Sequence, residues 1–373
     1  MLNEPMYQKI YKDLYNDILT GKYKVGDRLP SENELSENYG VSRITSKKSL
    51  EIMADRGYVM RQPGKGTFVL KVPNQPEDTE EEFDTSGSIS EHSSQRIIGV
   101  IMDSFGATFG PDLIRGLEYE CRRRGYLMLL RFTYGAMEIE TKALNEMVEA
   151  GASGIILMCA QGETYNSEIL KLHLENYPLV LVDRGMQGIP IPVVSTDNFE
   201  ASKELTEYLI QQGHKKICFL SHSSMQTTTV ADRYNGYIST MSANGLVTDE
   251  SFLLRDLDTG LPVDDDTSSA DEIAREHLSK YIDEHPDVTA YFAVEFSIAL
   301  LLFNMLVEKG LENDKEIVYF DGFEAGLGLA PRFRHIIQNQ YQMGVTGVRM
   351  LAHMIRGDDV PAKEIIPYIV RVD

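Results

Sequence analysis

At 373 residues, 42% of them apolar, the chain is too long for one ordinary domain and carries enough apolar material for two or three packed cores. Its formal charge is −21, and its three cysteines, Cys121, Cys159 and Cys218, are widely spaced without a CxxC pair or Cys/His cluster, which sets aside a zinc module and a disulfide framework. The N-terminal stretch lacks the apolar core of a signal peptide, and the longest apolar run, residues 298–303, is far short of a membrane span, so a cytoplasmic protein with no membrane partner is expected.

The first 72 residues hold 12 Lys/Arg against 9 Asp/Glu, so any surface for a polyanion belongs there. Pro5 suits a first helical position, and Met6, Ile10, Leu14 and Ile18 repeat at i+4 in a helix that Gly21 closes. Ser31 with Glu34 three residues on is a capping box that opens a second, short helix, followed by a turn at 38–40. Ser42 caps a third helix over 43–56, with Leu50 and Met53 on its buried side and Gly57 at its end. Two β-prone runs then flank Pro63-Gly64-Lys65-Gly66 as a hairpin. The pattern is an α+β winged helix-turn-helix. Its third helix suits a DNA major groove through Arg43, Thr45 and Lys47, and its wing tip suits the minor groove through Lys65 and Gly66.

Residues 73–95 hold seven acids and no Lys or Arg; with their serines they read as an acidic flexible linker. From 96 to 373, apolar runs at 97–102, 126–132, 154–158, 179–182, 217–220, 291–294 and 317–320 alternate with helical stretches such as 111–124 and 198–212. Runs apolar throughout are those of parallel strands covered on both faces, so this is an α/β domain. A faint echo, Asp112/Gly116/Gly125 against Asp232/Gly236/Gly245, fits two similar lobes.

Ligands of such sheets bind beyond the carboxyl ends of the strands. Four runs are followed at once by an acid, Asp103, Asp183, Glu295 and Asp321, and Arg184 adjoins Asp183. Carboxylates and guanidinium groups that take paired hydrogen bonds suit a polyol, and an aromatic face such as Phe109 would cover its C–H surface. The competing reading is that these acids cap the helices that follow. No GxSxG, HExxH or complete GxxxxGK[ST] sequence is present, no cofactor is implied, and "DDDTSS" at 264–269 reads as a solvated loop.

Residues 5–70 resemble the N-terminal domain of the GntR family. The likeness is carried by Leu29-Pro30-Ser31-Glu32, Glu34-Leu35, Gly40-Val41-Ser42-Arg43, Leu50, Gly57 and Gly64-x-Gly66-Thr67-Phe68-Val69. It implies DNA contacts by Arg43, Thr45, Lys47, Gly66 and Asn33. In this chain Asn33 and Lys47 stand where many members have Arg, and Ser46 stands where an apolar residue is usual. Residues 97–356 resemble the LacI/GalR effector domain, the type I periplasmic-binding-protein fold. That likeness rests on "DLIRGLE", "LVLVDR", "RYNGY", "YFAVEFSIALL", "IVYFDGFE" and "QYQMGVTGVRML". It implies effector contacts by Asp183, Arg184, Arg233, Glu295, Asp321, Gln338 and Phe109. Val294-Glu295 departs from the usual Asn-Asp, and Phe109-Gly110 from paired aromatics. A GntR head on such a body is the architecture of AraR-like arabinose regulators. The expectation is a homodimeric, non-enzymatic repressor with operator DNA and a small sugar, arabinose first, as partners. The alternative is a sugar-handling enzyme or receptor whose winged helix binds protein.

Overall fold

In the computed structural model the described residues are 6–19, 22–55, 58–62, 65–70, 96–103, 106, 108–160, 165–222, 227–257, 267–322 and 333–371. The expected linker, Pro5, Gly21, Gly57 and the Pro63-Gly64 tip lie outside them. The chain divides into two compact units, Met1–Ser93 and Ser94–Asp373.

The first unit runs α1 (Met6–Leu19), β1 (Arg28–Leu29), α2 (Glu32–Tyr39), α3 (Arg43–Asp55), β2 (Val59–Gln62) and β3 (Gly66–Val69). Its three strands pair in the order β1-β3-β2, all antiparallel. The i+4 stripe of α1 buries Ile10, Leu14 and Ile18 against Leu35, Leu50 and Met53, while Met6 stays exposed. The capping box forms: the Ser31 hydroxyl accepts from the Glu34 amide at 3.3 Å, and the Glu34 carboxylate accepts from the Ser31 amide at 2.7 Å. The expected turn at 38–40 is narrower than read. Helix α2 continues through Tyr39, and Gly40 alone, at φ +62°, takes the left-handed conformation that ends it.

The second unit holds two lobes. The N-terminal lobe begins β4 (Ile97–Met102), α4 (Pro111–Arg123), β5 (Leu127–Phe132), α5 (Met137–Glu149), β6 (Ala152–Leu157), α6 (Ser167–Leu174), β7 (Leu179–Val182) and β8 (Val193–Ser195). The chain then crosses over through α7 (Asn198–Gln211) to β9 (Ile217–Leu220), α8 (Thr228–Ala243), β10 (Leu253–Leu254), α9 (Thr267–Glu284), β11 (Ala290–Ala293), α10 (Phe296–Lys309), β12 (Glu316–Phe320) and β13 (His335–Gln338). It returns with α11 (Gln340–Arg356) and closes with β14 (Lys363–Ile365) and β15 (Tyr368–Arg371). Two sheets result, ordered β14-β8-β7-β6-β4-β5 and β10-β9-β11-β12-β13-β15, parallel except where β15 joins β13. Strands β14 and β15 therefore end the chain with one strand in each lobe. The apolar runs are buried on both faces, as read, except in β5. That strand has a neighbour on one side only, and Leu127 and Arg131 are exposed on it. The "DDDTSS" reading is corrected in part: Thr267-Ser268-Ser269 open α9 rather than a loop, and 264–266 lie outside the described residues.

The sequence echo has a packing cause. A Cβ on Gly116 of α4 would collide with the backbone carbonyl of Tyr341 on α11, and one on Gly236 of α8 with that of Phe199 on α7. Each lobe thus crosses one helix pair at a glycine, and Gly125 and Gly245 take positive φ just past the ends of α4 and α8. Alanine at position 116 is expected to lower stability by about 1–3 kcal/mol, because two backbones must separate. Its gain in helix propensity of about 1 kcal/mol offsets only part of this. Urea unfolding monitored by circular dichroism measures it.

Candidate functional site

On the first unit, Arg43 opens α3 with a side chain that is 70% exposed, and its Nε donates to Glu32 Oε2 at 3.0 Å. Arg61 on β2 binds the other oxygen of Glu32 and reaches Glu51 at 3.2 Å; Lys47 lies 3.6 Å from the same Glu51. The basic side chains are therefore held in place by two acids rather than left as a loose fringe. The Ser42 hydroxyl accepts from the Thr45 amide at 3.3 Å and lies 2.9 Å from the Thr45 hydroxyl. Ser46 is fully buried and donates to the Glu32 carbonyl at 2.7 Å, so a hydroxyl serves where an apolar residue was expected. Asn33 and Lys65 are exposed. Gly66 stands at φ +125°, where only glycine is at ease. Sequence reasoning missed Arg61 and Ile44. The latter is 79% exposed between Arg43 and Thr45, an apolar surface on a polar helix start.

In the second unit the register explains why the acids converge. Ile101 pairs with Leu157 and Leu157 with Leu181, so Asp103, Cys159 and Asp183 occupy one row two residues further on. In the other sheet Leu220 pairs with Ala293 and Ala293 with Tyr319, so His222, Glu295 and Asp321 form the matching row. Strands about 4.8 Å apart bring these side chains together at one rim of each lobe. Asp183 and Asp321 share the same left-handed backbone, φ +64° in each, a conformation that is strained for a non-glycine residue and that recurs where side chains must be aimed.

Arg184 Nη1 donates to Asp103 at 2.6 Å, and its Nε lies 3.5 Å from Asp183, an ion pair rather than a hydrogen bond. Arg233, almost wholly buried, donates from Nε to Asn198 at 2.8 Å and from Nη1 to the Val294 carbonyl at 2.6 Å. Its guanidinium lies 4.0 Å over the Phe320 ring and 3.6 Å from Asp321. Gln338 donates to the other Asp321 oxygen at 2.7 Å. The lobes meet here: the Thr228 hydroxyl donates to the Gly185 carbonyl at 3.3 Å, and the charge of Arg233 acts on Asp183. Burial pushes the Asp183 carboxyl up, and pushes Asp321 up to about 6 against the pull of Arg233. The Gln338 Oε1, Arg184 Nε and the hydroxyls of Thr196 and Ser221, all buried near strand ends, have no hydrogen-bond partner among the described residues. Polar atoms buried in that state are expensive unless a ligand completes them.

The structure thus gathers Asp183, Arg184, Arg233, Asp321 and Gln338, with Glu295 beside them. Phe109 is half-buried and packs on the core of the N-terminal lobe. The capping reading fails for Glu295: it precedes α10, but its carboxylate makes no capping bond. Sequence reasoning missed His222, Asn198 and Phe320. The first stands one residue beyond an apolar run, behind Ser221, where the acids follow theirs directly; the other two carry no local signal. The three cysteines are buried and form no disulfide, and burial pushes the Cys121 and Cys218 thiols up to about 12.

Residues 95–367 match the family of periplasmic binding proteins and the sugar binding domain of the LacI family. The chain belongs to that family. Residues 6–69 match the bacterial regulatory proteins of the gntR family. The chain is 26% identical over 357 residues to an arabinose metabolism transcriptional repressor of Geobacillus stearothermophilus, covering 94% of this chain and 91% of that protein. It is 26% identical over 265 residues to the HTH-type transcriptional repressor PurR of Pasteurella multocida, covering 70% and 75%. The crystal structure of the transcription regulator CcpA of Lactococcus lactis shares the fold, with a TM-score of 0.63 at 21% identity over 74% of this chain and 97% of that one. No helix among the described residues is long and apolar enough to cross a membrane.

Proposed function

We propose that the protein is a cytoplasmic, non-enzymatic repressor whose head, residues 1–72, binds operator DNA as a homodimer, and whose body, residues 96–373, takes a neutral sugar between its lobes. Residues 73–95 join the two. The reading is carried by one observation. A single chain joins an exposed basic helix start to a buried polar cluster at strand ends, each inside the stretch its family matches. Arg43, Thr45, Lys47 and Asn33 face the major groove and Lys65 and Gly66 the minor groove, while Ile44 offers the kind of surface that packs on a thymine methyl. Asp183, Arg184, Arg233, Glu295, Asp321 and Gln338, with Phe109 at the edge, hold the effector. Paired donors and acceptors suit several hydroxyls at once, and arabinose is the first candidate. The ligand releases DNA by binding one arrangement of the lobes more tightly than the other.

The test begins with an operator selected from random DNA by the full-length protein. Arg43→Ala is expected to lose about 1–3 kcal/mol of specific affinity, as for a bidentate base contact. A neutral sugar at 100 times its Kd adds about 2.7 kcal/mol to stability and releases the operator. Arg184→Ala loses both responses while still binding DNA without sugar. Turnover of the sugar, or no retarded DNA at any salt concentration, would favour an enzyme or receptor instead.

A further inference from the structure

Strands β9, β11, β12 and β13 are neighbours, run parallel and end at one rim of the C-terminal lobe. Glu295, Asp321 and Gln338 stand at three of those ends, and Ser221 and His222 at the fourth. His222 Nε2 lies 3.2 Å from Glu295 Oε2, and the Ser297 hydroxyl binds the other oxygen. Each oxygen of this carboxylate therefore has a partner drawn from a different element, β9's end on one side and the first turn of α10 on the other. Burial would raise the Glu295 carboxyl; His222 and Ser297 outweigh that and hold it below the ordinary range. Its backbone is extended, at φ −154°, and the side chain does no capping. About a third of it is exposed, so it still reaches solvent at the rim.

Glutamate is one methylene longer than the aspartates in these rows. Left unanchored, such a side chain loses rotamer entropy on meeting a ligand and discriminates poorly. Anchored by an imidazole and a hydroxyl, it presents a fixed acceptor. We propose that His222 is a specificity-determining residue of the cleft: it holds the Glu295 carboxylate toward β9, so that the pair reads the hydroxyl pattern of a polyol on the β9 side of Arg233, Asp321 and Gln338. The assignment rests on the sugar-cleft reading above. A site that hydrogen-bonds one hydroxyl rejects the epimer that leaves its buried groups unpaired, and the rejection is steeper than apolar fit provides. His222 acts on that choice through Glu295, which makes it a positioning residue as well.

Isothermal titration of the full-length protein with L-arabinose, D-xylose, D-ribose and D-galactose tests this. The variants are His222→Ala, Glu295→Gln, the double variant and Arg184→Ala, and thermal unfolding checks that each is folded. Glu295→Gln keeps the shape of the side chain, so the test survives if His222→Ala does not fold. Each single variant is expected to weaken the tightest sugar by tenfold or more and to compress its preference over the other three. The double variant should lose little beyond either single one, as two residues acting as a unit do. Equal weakening of all four sugars with their ratios kept, or no change, overturns the assignment while leaving the cleft standing. No binding of any of the four by the wild type, or unchanged binding by Arg184→Ala, overturns the cleft reading and this assignment with it.

Discussion

Replacing Arg233 by alanine is expected to destabilise the second unit by about 3–5 kcal/mol, the cost of breaking a buried ion pair from one side. The guanidinium is almost wholly buried. It donates to Asn198 and to the Val294 carbonyl, lies over Phe320 and faces Asp321. Alanine would leave Asp321 buried with only Gln338 to answer its charge, and would strip the Val294 carbonyl and the Asn198 side chain of their donor. Lysine should recover little, since a point charge on a flexible stem cannot serve three directions or stack on a ring. Urea unfolding of the wild type, Arg233→Ala and Arg233→Lys at pH 7.5 measures the effect. A loss below about 1 kcal/mol for alanine would mean that the cluster is solvated and not the tight set its geometry describes.

How much of this was legible beforehand differs between elements. The central parallel strands were readable because burial on both faces leaves mainly apolar residues in β4, β6, β7, β9, β11 and β12. The others, β8, β10, β13, β14 and β15, were not. Strands β8, β10 and β14 are only two or three residues long, and β13 and β15 mix their apolar residues with His335, Gln338 and Arg371. Helix caps were readable where side chain and backbone lie within three residues, as at Ser31 and Glu34. The acids at strand ends were readable one by one, but not the rows they form, because the register of parallel neighbours is a tertiary fact. That is why Asp321 was found and His222, in the same row, was not. Asn198 and Phe320 act on Arg233 from 35 and 87 residues away in the chain, and nothing local marks them. On the head, the basic residues stood out by charge, whereas the role of Glu32 in holding both Arg43 and Arg61 depends on the docking of α2, α3 and β2.

The acid that this arginine faces carries the second large effect, and its sign is opposite. The Asp321 carboxyl is raised from 3.8 to about 6, with burial as the leading cause. A raised carboxyl means the folded state holds the proton more tightly than the unfolded chain does. The associated stability is fully present below about pH 3.8 and is lost as the pH rises through 6, amounting to about 3 kcal/mol by pH 8. Asparagine imitates the neutral acid and cannot ionise. Asp321→Asn is therefore expected to be about 3 kcal/mol more stable than the wild type at pH 8, with the gap little changed down to about pH 6 and roughly halved by pH 5. The same variant should lose its thermal response to the sugar that stabilises the wild type, because a hydroxyl that donates to the ionised Asp321 has no equal acceptor in an amide already engaged with Gln338. A residue that weakens the fold while serving the ligand is what a binding site stores and a structural ion pair does not. In the wild type, sugar affinity should fall below pH 6, since the ligand must displace the proton. Urea unfolding from pH 5 to 8, with and without sugar, measures both effects at once. Stability of the variant equal to or below that of the wild type at pH 8 would show that Asp321 is ionised at no cost, held by Arg233 as an ordinary salt bridge.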